Sequence, residues 1–263
     1  LSRRLGQHFL RSAWVERLVR LIDPRPGEVF LEIGPGRGAL TLPLAAAGAR
    51  VVAVELDARL AADLRERAPG NVEIVTGDAL EVDLRSLVPA GSRLAGNLPY
   101  YVASPLLRRF LELKDHVRDF HALVQEEMGE RVASPPGSRD YGVLSVLIGL
   151  WADLDLPLRL PPGAFDPPPR VRSAVLRGRF LAAPRASISD PSSFQRLVLT
   201  AFTRRRRTLE NNLQHSYPDL KNYLRLAGIE GSRRAESLSV AEFARLDGVL
   251  GEAGCRLTSG DSG

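Results

Sequence analysis

The stretch Val29-Phe30-Leu31-Glu32-Ile33-Gly34-Pro35-Gly36-Arg37-Gly38-Ala39-Leu40 constrains the fold more than any other part of the chain. Strand-forming apolar residues run into Gly34, three glycines within five positions permit a tight turn open to a bound group, and Ala39-Leu40-Thr41-Leu42 begins a helical pattern. One unit later, Arg50-Val51-Val52-Ala53-Val54 ends in Glu55-Leu56-Asp57. In a doubly wound sheet an acidic residue at the end of the second strand stands beside the glycine turn and can accept hydrogen bonds from two ribose hydroxyls. The pair of signals predicts a site for a nucleotide-like ligand.

The neighbouring pattern supplies the rest of such a sheet. Predicted strands at 28–33, 50–54, 72–75, 93–96 and 120–124 alternate with predicted helices at 38–47, 57–67 and 105–113. A basic N-terminal arm and helix over 1–27 precede them, and two further strands, 154–160 and 171–180, extend the domain to 28–181. The proline-rich loop Pro161 to Pro169 separates those last strands and cannot itself enter a sheet. After a linker at 182–190 the pattern turns wholly helical, which gives a small domain over 190–251 and a flexible tail over 252–263. The expected fold class is therefore α/β, a Rossmann-like sheet with helices on both faces, plus an all-helical C-terminal domain.

Charge is informative where it is concentrated. The net charge of +5 in 263 residues is modest, but Arg204-Arg205-Arg206-Arg207 and Arg233-Arg234 fall together in the helical region, where they are candidates to grip RNA phosphates; a solvated basic surface is the alternative. A single cysteine, Cys255, excludes an intramolecular disulfide and a cysteine-cluster metal site, and the four histidines lack paired metal-ligand spacing. No apolar run is long enough to span a bilayer, so the expectations are a cytoplasmic protein, no membrane, no metal, and a monomer when free.

Candidate functional residues follow successive strands, at the sheet edge where ligands bind. The glycine turn lacks the Gly-Lys-Ser/Thr ending of an ATPase phosphate loop, whereas a dinucleotide fingerprint fits Gly34, Gly36 and Ala39 in its permissive form. Glu32 and the extra Gly38 favour S-adenosylmethionine instead, because a carboxylate by the turn can hold the ammonium of the cofactor. Asp78 after strand three can accept from an adenine amine while the Ala79 amide serves a ring nitrogen, or Asp78 can simply cap a turn. The sharper motif is Asn97-Leu98-Pro99-Tyr100. A nucleobase amine is a poor nucleophile because its lone pair is delocalised into the ring. The Asn97 side-chain oxygen and the Leu98 carbonyl could accept both of its hydrogens, localising the lone pair and aiming it at a sulfonium methyl. Pro99 stiffens this backbone, and Tyr100 can stack on an extruded base. Phe165 is a candidate for the opposite wall of the base pocket or for the core. Near the start, Gln7 and His8 either lie over a cofactor pocket or belong to an arm held down by Phe9 and Leu10.

Taken together, Leu5-Gly6-Gln7-His8-Phe9-Leu10, the glycine turn, Glu55-Leu56-Asp57, Gly77-Asp78-Ala79-Leu80, Asn97-Leu98-Pro99-Tyr100, Tyr141-Gly142-Val143-Leu144-Ser145-Val146, Phe165 to Val171, Ala201 to Arg206 and Arg234-Ala235-Glu236 resemble the small-subunit ribosomal RNA adenine dimethyltransferase family over nearly the whole chain. The resemblance implies a class I methyltransferase sheet that uses S-adenosyl-L-methionine. It further implies transfer of four methyl groups to N6 of two adjacent adenosines near the 3′ end of small-subunit ribosomal RNA, in an assembling small ribosomal subunit. Carried onto this sequence, the cofactor set is Gln7, His8, Leu10, Glu32, Gly34, Gly36, Glu55, Leu56, Asp78, Ala79 and Asn97, and the target adenine falls to Asn97, Leu98, Pro99 and Tyr100.

Two departures fall beside these positions: His8 replaces a usual asparagine, and Tyr101-Val102-Ala103-Ser104 replaces a more usual asparagine, isoleucine, serine, then threonine or serine. The competing readings are a large-subunit RNA adenine dimethyltransferase and a non-catalytic assembly or transcription factor. A dehydrogenase would leave Asn97-Leu98-Pro99-Tyr100 unexplained, and amino-group DNA methyltransferases usually carry two prolines before the aromatic.

Overall fold

The computed structural model describes residues 8–254. The chain divides into two compact units: residues up to Glu130 with Asp153–Ala182, and Arg131–Ala152 with residues from Ala183 onward. The stretch 131–152, which the sequence pattern assigns to the 28–181 domain, groups by its contacts with the later helices.

Among the described residues the first unit holds nine strands: β1 (Phe9–Leu10), β2 (Val29–Ile33), β3 (Arg50–Glu55), β4 (Val72–Thr76), β5 (Ser92–Asn97), β6 (Val117–Gln125), β7 (Ala152–Leu160, whose first residue groups with the other unit), β8 (Phe165–Asp166) and β9 (Ser173–Phe180). Seven form one sheet in the order β4-β3-β2-β5-β6-β9-β7. The first five are parallel, and β9 runs antiparallel to β6. Val51, Val52 and Ala53 of β3 are wholly buried, as expected for a strand covered on both faces. The chain leaves β2 toward β3 on one side and returns to β5 on the other, so the crevice above β2 and β5 is a topological switch point. A Cβ at Gly96 of β5 would meet the Ile33 carbonyl oxygen at 2.5 Å, so the closest approach of the two strands requires glycine there.

Helices α1 (Ser12–Ile22), α2 (Thr41–Ala46), α3 (Ala58–Arg67), α4 (Leu84–Leu87) and α5 (Ala103–Glu112) connect or flank the strands, and α6 (Glu126–Ala133) follows β6 directly. Each longer helix buries a spaced apolar face, such as Val15, Leu18 and Ile22 of α1 and Leu106, Leu107 and Phe110 of α5. Asp57 starts α3 by accepting from the Arg59 and Leu60 amides. At the amino ends of the strands, the 6%-exposed Arg93 of β5 bonds to Asp119 at 2.9 Å, to Glu28 at 3.0 Å and to the Ile22 carbonyl at 2.8 Å, tying α1 to the sheet. The two-residue strands β1 and β8 pair antiparallel, with Leu10 opposite Phe165.

The second unit packs α7 (Val143–Gly149), α8 (Pro191–Ala201), α9 (Leu209–Leu213), α10 (Leu220–Leu226) and α11 (Val240–Glu252) around Phe194, Leu197, Leu213, Leu224, Phe243 and Leu246. Asp190 caps α8, and Ser239 with Glu242 forms a reciprocal capping box on α11. The arginine run occupies the turn between α8 and α9, whereas the sequence reading treats it as helical. Among the described residues, no helix is long and apolar enough to cross a membrane.

Candidate active site

A cleft opens at the carboxyl ends of β2, β3 and β5, and its lining includes His8, Leu10, Glu32, Gly34, Gly36, Glu55, Asn97, Leu98, Pro99 and Tyr100. The sequence-nominated residues on these strands therefore meet in one place because the sheet order brings three strand ends together. Gly34 and Gly36 have φ of +71° and +54°, left-handed values that a side chain would strain. The turn is held from β3: the Gly34 amide donates to the Val54 carbonyl at 3.0 Å, and the Gly36 amide donates to Glu55 Oε2 at 2.9 Å. Glu55 Oε1 accepts from the Asp57 amide at 2.9 Å, so this carboxylate joins the glycine turn to the start of α3.

Glu32 lies deeper, 2% exposed, and among the described residues its Oε2 has no hydrogen-bond partner. Burial pushes its carboxyl up to about 8, with the Glu55 charge acting in the same direction. A buried acceptor beside a cleft suits a cationic group, whose arrival would favour the ionised carboxylate.

Asn97 ends β5. Its Nδ2 donates to the His8 main-chain carbonyl at 3.1 Å, and because a carbonyl only accepts, this bond fixes which end of the amide is which. Oδ1 is thereby the end left to receive a donor. The Leu98 amide donates to the Leu123 carbonyl at 3.0 Å, anchoring the next peptide to β6. Pro99, with φ −59° and ψ 128°, leads into a short 3-10 turn over Tyr100–Val102. The half-buried Tyr100 hydroxyl lies 2.7 Å from Ser173 Oγ, and burial raises its pKa. The N-terminal strap is held in turn by the Arg37 guanidinium, 4.2 Å from the Phe9 ring centroid.

Other nominated residues are placed differently. Gln7 lies outside the described residues. Leu56 is 54% exposed, and Asp78 Oδ1 accepts from the Leu80 amide at 2.9 Å, the turn-capping arrangement; neither they nor Ala79 belong to the cleft lining. Phe165 has no exposed surface and packs with Leu160, Ala164 and Val175, so its ring does not form a wall of the cleft. That placement matches its core alternative. Arg205 donates to the Arg139 and Tyr141 carbonyls, and Arg233 is committed to Glu242 and Ser237, so both support their own unit. Among the described residues, no bond engages the guanidinium of Arg204, Arg206 or Arg207, and Arg234 is 3.9 Å from Glu236. Ser173, which holds Tyr100, carries no sequence signal beyond its place at the start of a strand.

The sheet order, the glycine turn braced by an acidic strand end, and a polar strand-five motif at the switch point define a Rossmann-like methyltransferase that uses S-adenosylmethionine. The residues fit that cofactor: the buried Oε2 of Glu32, without a hydrogen-bond partner among the described residues, suits its ammonium, and Gly34 and Gly36 leave backbone surface for its nucleoside. The chain matches the family described as ribosomal RNA adenine dimethylase over residues 1–250 and belongs to it. It is 44% identical over 258 residues to ribosomal RNA small subunit methyltransferase A of Geobacter metallireducens, covering 94% of each chain. Identity is also 44% over 248 residues with the protein of that name from Leptothrix cholodnii, covering 93% of this chain and 90% of that one. Among solved structures, the 23S rRNA methyltransferase ErmE aligns with TM-score 0.70 and 27% identity over 92% of this chain and 99% of its own. A dimethyladenosine transferase from Plasmodium falciparum shares the fold, with TM-score 0.76 and 20% identity over 95% of this chain and all (100%) of that one. The activity is that of an S-adenosylmethionine-dependent ribosomal RNA adenine dimethyltransferase.

Proposed function

We propose that this chain dimethylates N6 of two adjacent adenosines near the 3′ end of small-subunit ribosomal RNA, acting on an assembling small subunit in the cytoplasm, and is monomeric when free. The observation that carries the small-subunit reading is the end-to-end likeness to relatives named for that subunit, at higher identity than to the large-subunit enzyme. S-adenosylmethionine supplies an electrophilic methyl carbon when bound. Glu32 takes its ammonium, Glu55 its ribose, and Asp78 and Ala79 its adenine; Gln7, His8, Leu10 and Leu56 border the cofactor.

Asn97 Oδ1 and the Leu98 carbonyl accept the two N6 hydrogens of the target adenine. That draws the amine out of conjugation and sets its lone pair along the transfer line. Tyr100, pinned through its hydroxyl by Ser173, stacks on one face of the base. No strong general base is required, because the methylated ammonium is acidic enough to lose its proton to water. The helical unit supplies RNA phosphate contacts through Arg204, Arg206 and Arg207, with Arg234 at its edge.

The reading is tested by offering labelled S-adenosylmethionine with unmethylated small subunits, unmethylated large subunits and DNA, then locating the label by mass spectrometry. Dimethyladenosine at two neighbouring small-subunit positions is the expected product. Label confined to large subunits would replace the proposal with a large-subunit specificity; no label on any substrate would favour a binding factor.

A further inference from the structure

The short turn after the strand-five motif carries two tyrosines, and of the two Tyr100 lines the cleft. Tyr101 is 62% exposed, the most exposed large hydrophobic side chain among the described residues, and no bond among them engages its hydroxyl. Its backbone is nonetheless fixed. The Val102 amide donates to the Pro99 carbonyl at 3.0 Å, and Leu98 and Ala103, on either side of the turn, are each 1% exposed. A 3-10 turn has about three residues per turn, so successive side chains leave it about 120° apart. With Tyr100 at the cleft, Tyr101 is held outside it, at the rim.

The exposed stripe continues along α5. Tyr101, Pro105 and Arg108 are all exposed, at the four- and three-residue spacings of one helix face, and the Arg108 guanidinium has no bond among the described residues. An open aromatic face followed by a free cation is a combination that holds single-stranded nucleic acid: the ring takes a base and the cation the backbone. Consecutive Cα atoms are about 3.8 Å apart, so the Tyr101 ring suits the nucleotide beside the one at Tyr100 rather than a distant one. Resting on the N6-transfer reading above, we propose that Tyr101 is a stacking platform for the base adjoining the target adenine, with Arg108 taking the backbone phosphate beyond it. The asparagine more usual at this position has no aromatic face, so the platform belongs to this chain's own sequence. Because the turn is fixed, the platform lies to one side of the target. It therefore serves the two adjacent adenosines unequally: one is methylated with its partner stacked on Tyr101, the other with a nucleotide from outside the pair.

The test compares kcat/KM for methyl transfer by wild type, Tyr101→Ala and Tyr101→Phe on unmethylated small subunits. It adds subunits reconstituted with an abasic nucleotide at one or the other target position, so that the remaining adenosine is the acceptor. On intact subunits Tyr101→Ala should lower kcat/KM by at least about fivefold, the lower end of the 1–3 kcal/mol that a stacked base contributes. Tyr101→Phe, which keeps the ring and loses the hydroxyl, should match wild type. The loss in Tyr101→Ala should vanish on one abasic substrate and persist on the other, a pattern that a general folding defect would not produce. A smaller fall on intact subunits, or an equal fall on both abasic substrates, overturns the platform. Failure of the underlying reading looks different: wild-type protein would transfer no methyl to intact small subunits.

Discussion

At the scale of single residues, two buried titratable groups act in opposite directions on the cofactor-free protein. Glu32 is raised to about 8, chiefly by burial, from an ordinary value of 4.5. The native state holds its proton where the unfolded state has lost it, so this group stabilises below about pH 4.5 and that contribution is lost as pH rises through about 8. Each tenfold change in proton affinity is worth about 1.4 kcal/mol, so the effect reaches several kcal/mol. Glu32→Gln should match wild type near pH 4 and exceed it above pH 8 in urea midpoint; equal midpoints at both pH values would contradict the assignment. His121, 3% exposed, with Nδ1 3.8 Å from Asp119 and without a hydrogen-bond partner among the described residues, is lowered to about 4, first by burial. There the unfolded state binds the extra proton, so stability falls as pH drops from about 6.5 to about 4. His121→Leu should flatten the acid limb of the urea-midpoint profile; an unchanged acid limb would contradict the assignment. The meeting of Glu32, Glu55 and Asn97 in one cleft was legible because each lies at or near the carboxyl end of a strand on the same sheet edge. The position of Phe165 was not, since an aromatic in a proline-rich loop suits a core or a pocket equally. The place of His8 in the cleft lining depends on a strap whose pairing is too short to leave a period.

At the scale of elements, the parallel strands were legible from apolar runs separated by helical spacing, and the observed bounds differ by a few residues at most. The pair β1 and β8 was not, because two residues cannot show an alternation. Nor was the arginine turn after α8, where four long side chains read equally well as helix. Arg93 also gives little sign of its role in sequence, yet it holds the Ile22 carbonyl, Glu28 and Asp119 together in a buried cluster. Removing one partner from a buried ionic cluster typically costs about 3–5 kcal/mol because the opposite charges are left uncompensated. Arg93→Ala should lower unfolding free energy by about that amount, measured by urea titration; a loss below about 1 kcal/mol would mean that water replaces the guanidinium freely.

For the whole molecule, the modest net charge of +5 conceals a division of labour among arginines. Arg205 and Arg233 are used internally, whereas the guanidinium groups of Arg204, Arg206 and Arg207 have no partner among the described residues. Changing those three together to glutamine should leave the melting temperature and cofactor affinity unchanged while weakening RNA binding. If each meets one phosphate, the slope of log affinity against log salt should shrink by about 2–3. An unchanged slope would assign them to a solvated surface.

The central claim is that Asn97 acts on the acceptor amine, held in orientation by the strap. It is tested most directly by measuring methyl transfer and S-adenosylmethionine affinity on the same preparation of Asn97→Ala. Loss of one preorganised polar contact to the reacting group predicts a fall in transfer of about 10²–10³-fold, with cofactor affinity changed far less. Comparable losses in both, or transfer near the wild-type rate, would contradict it.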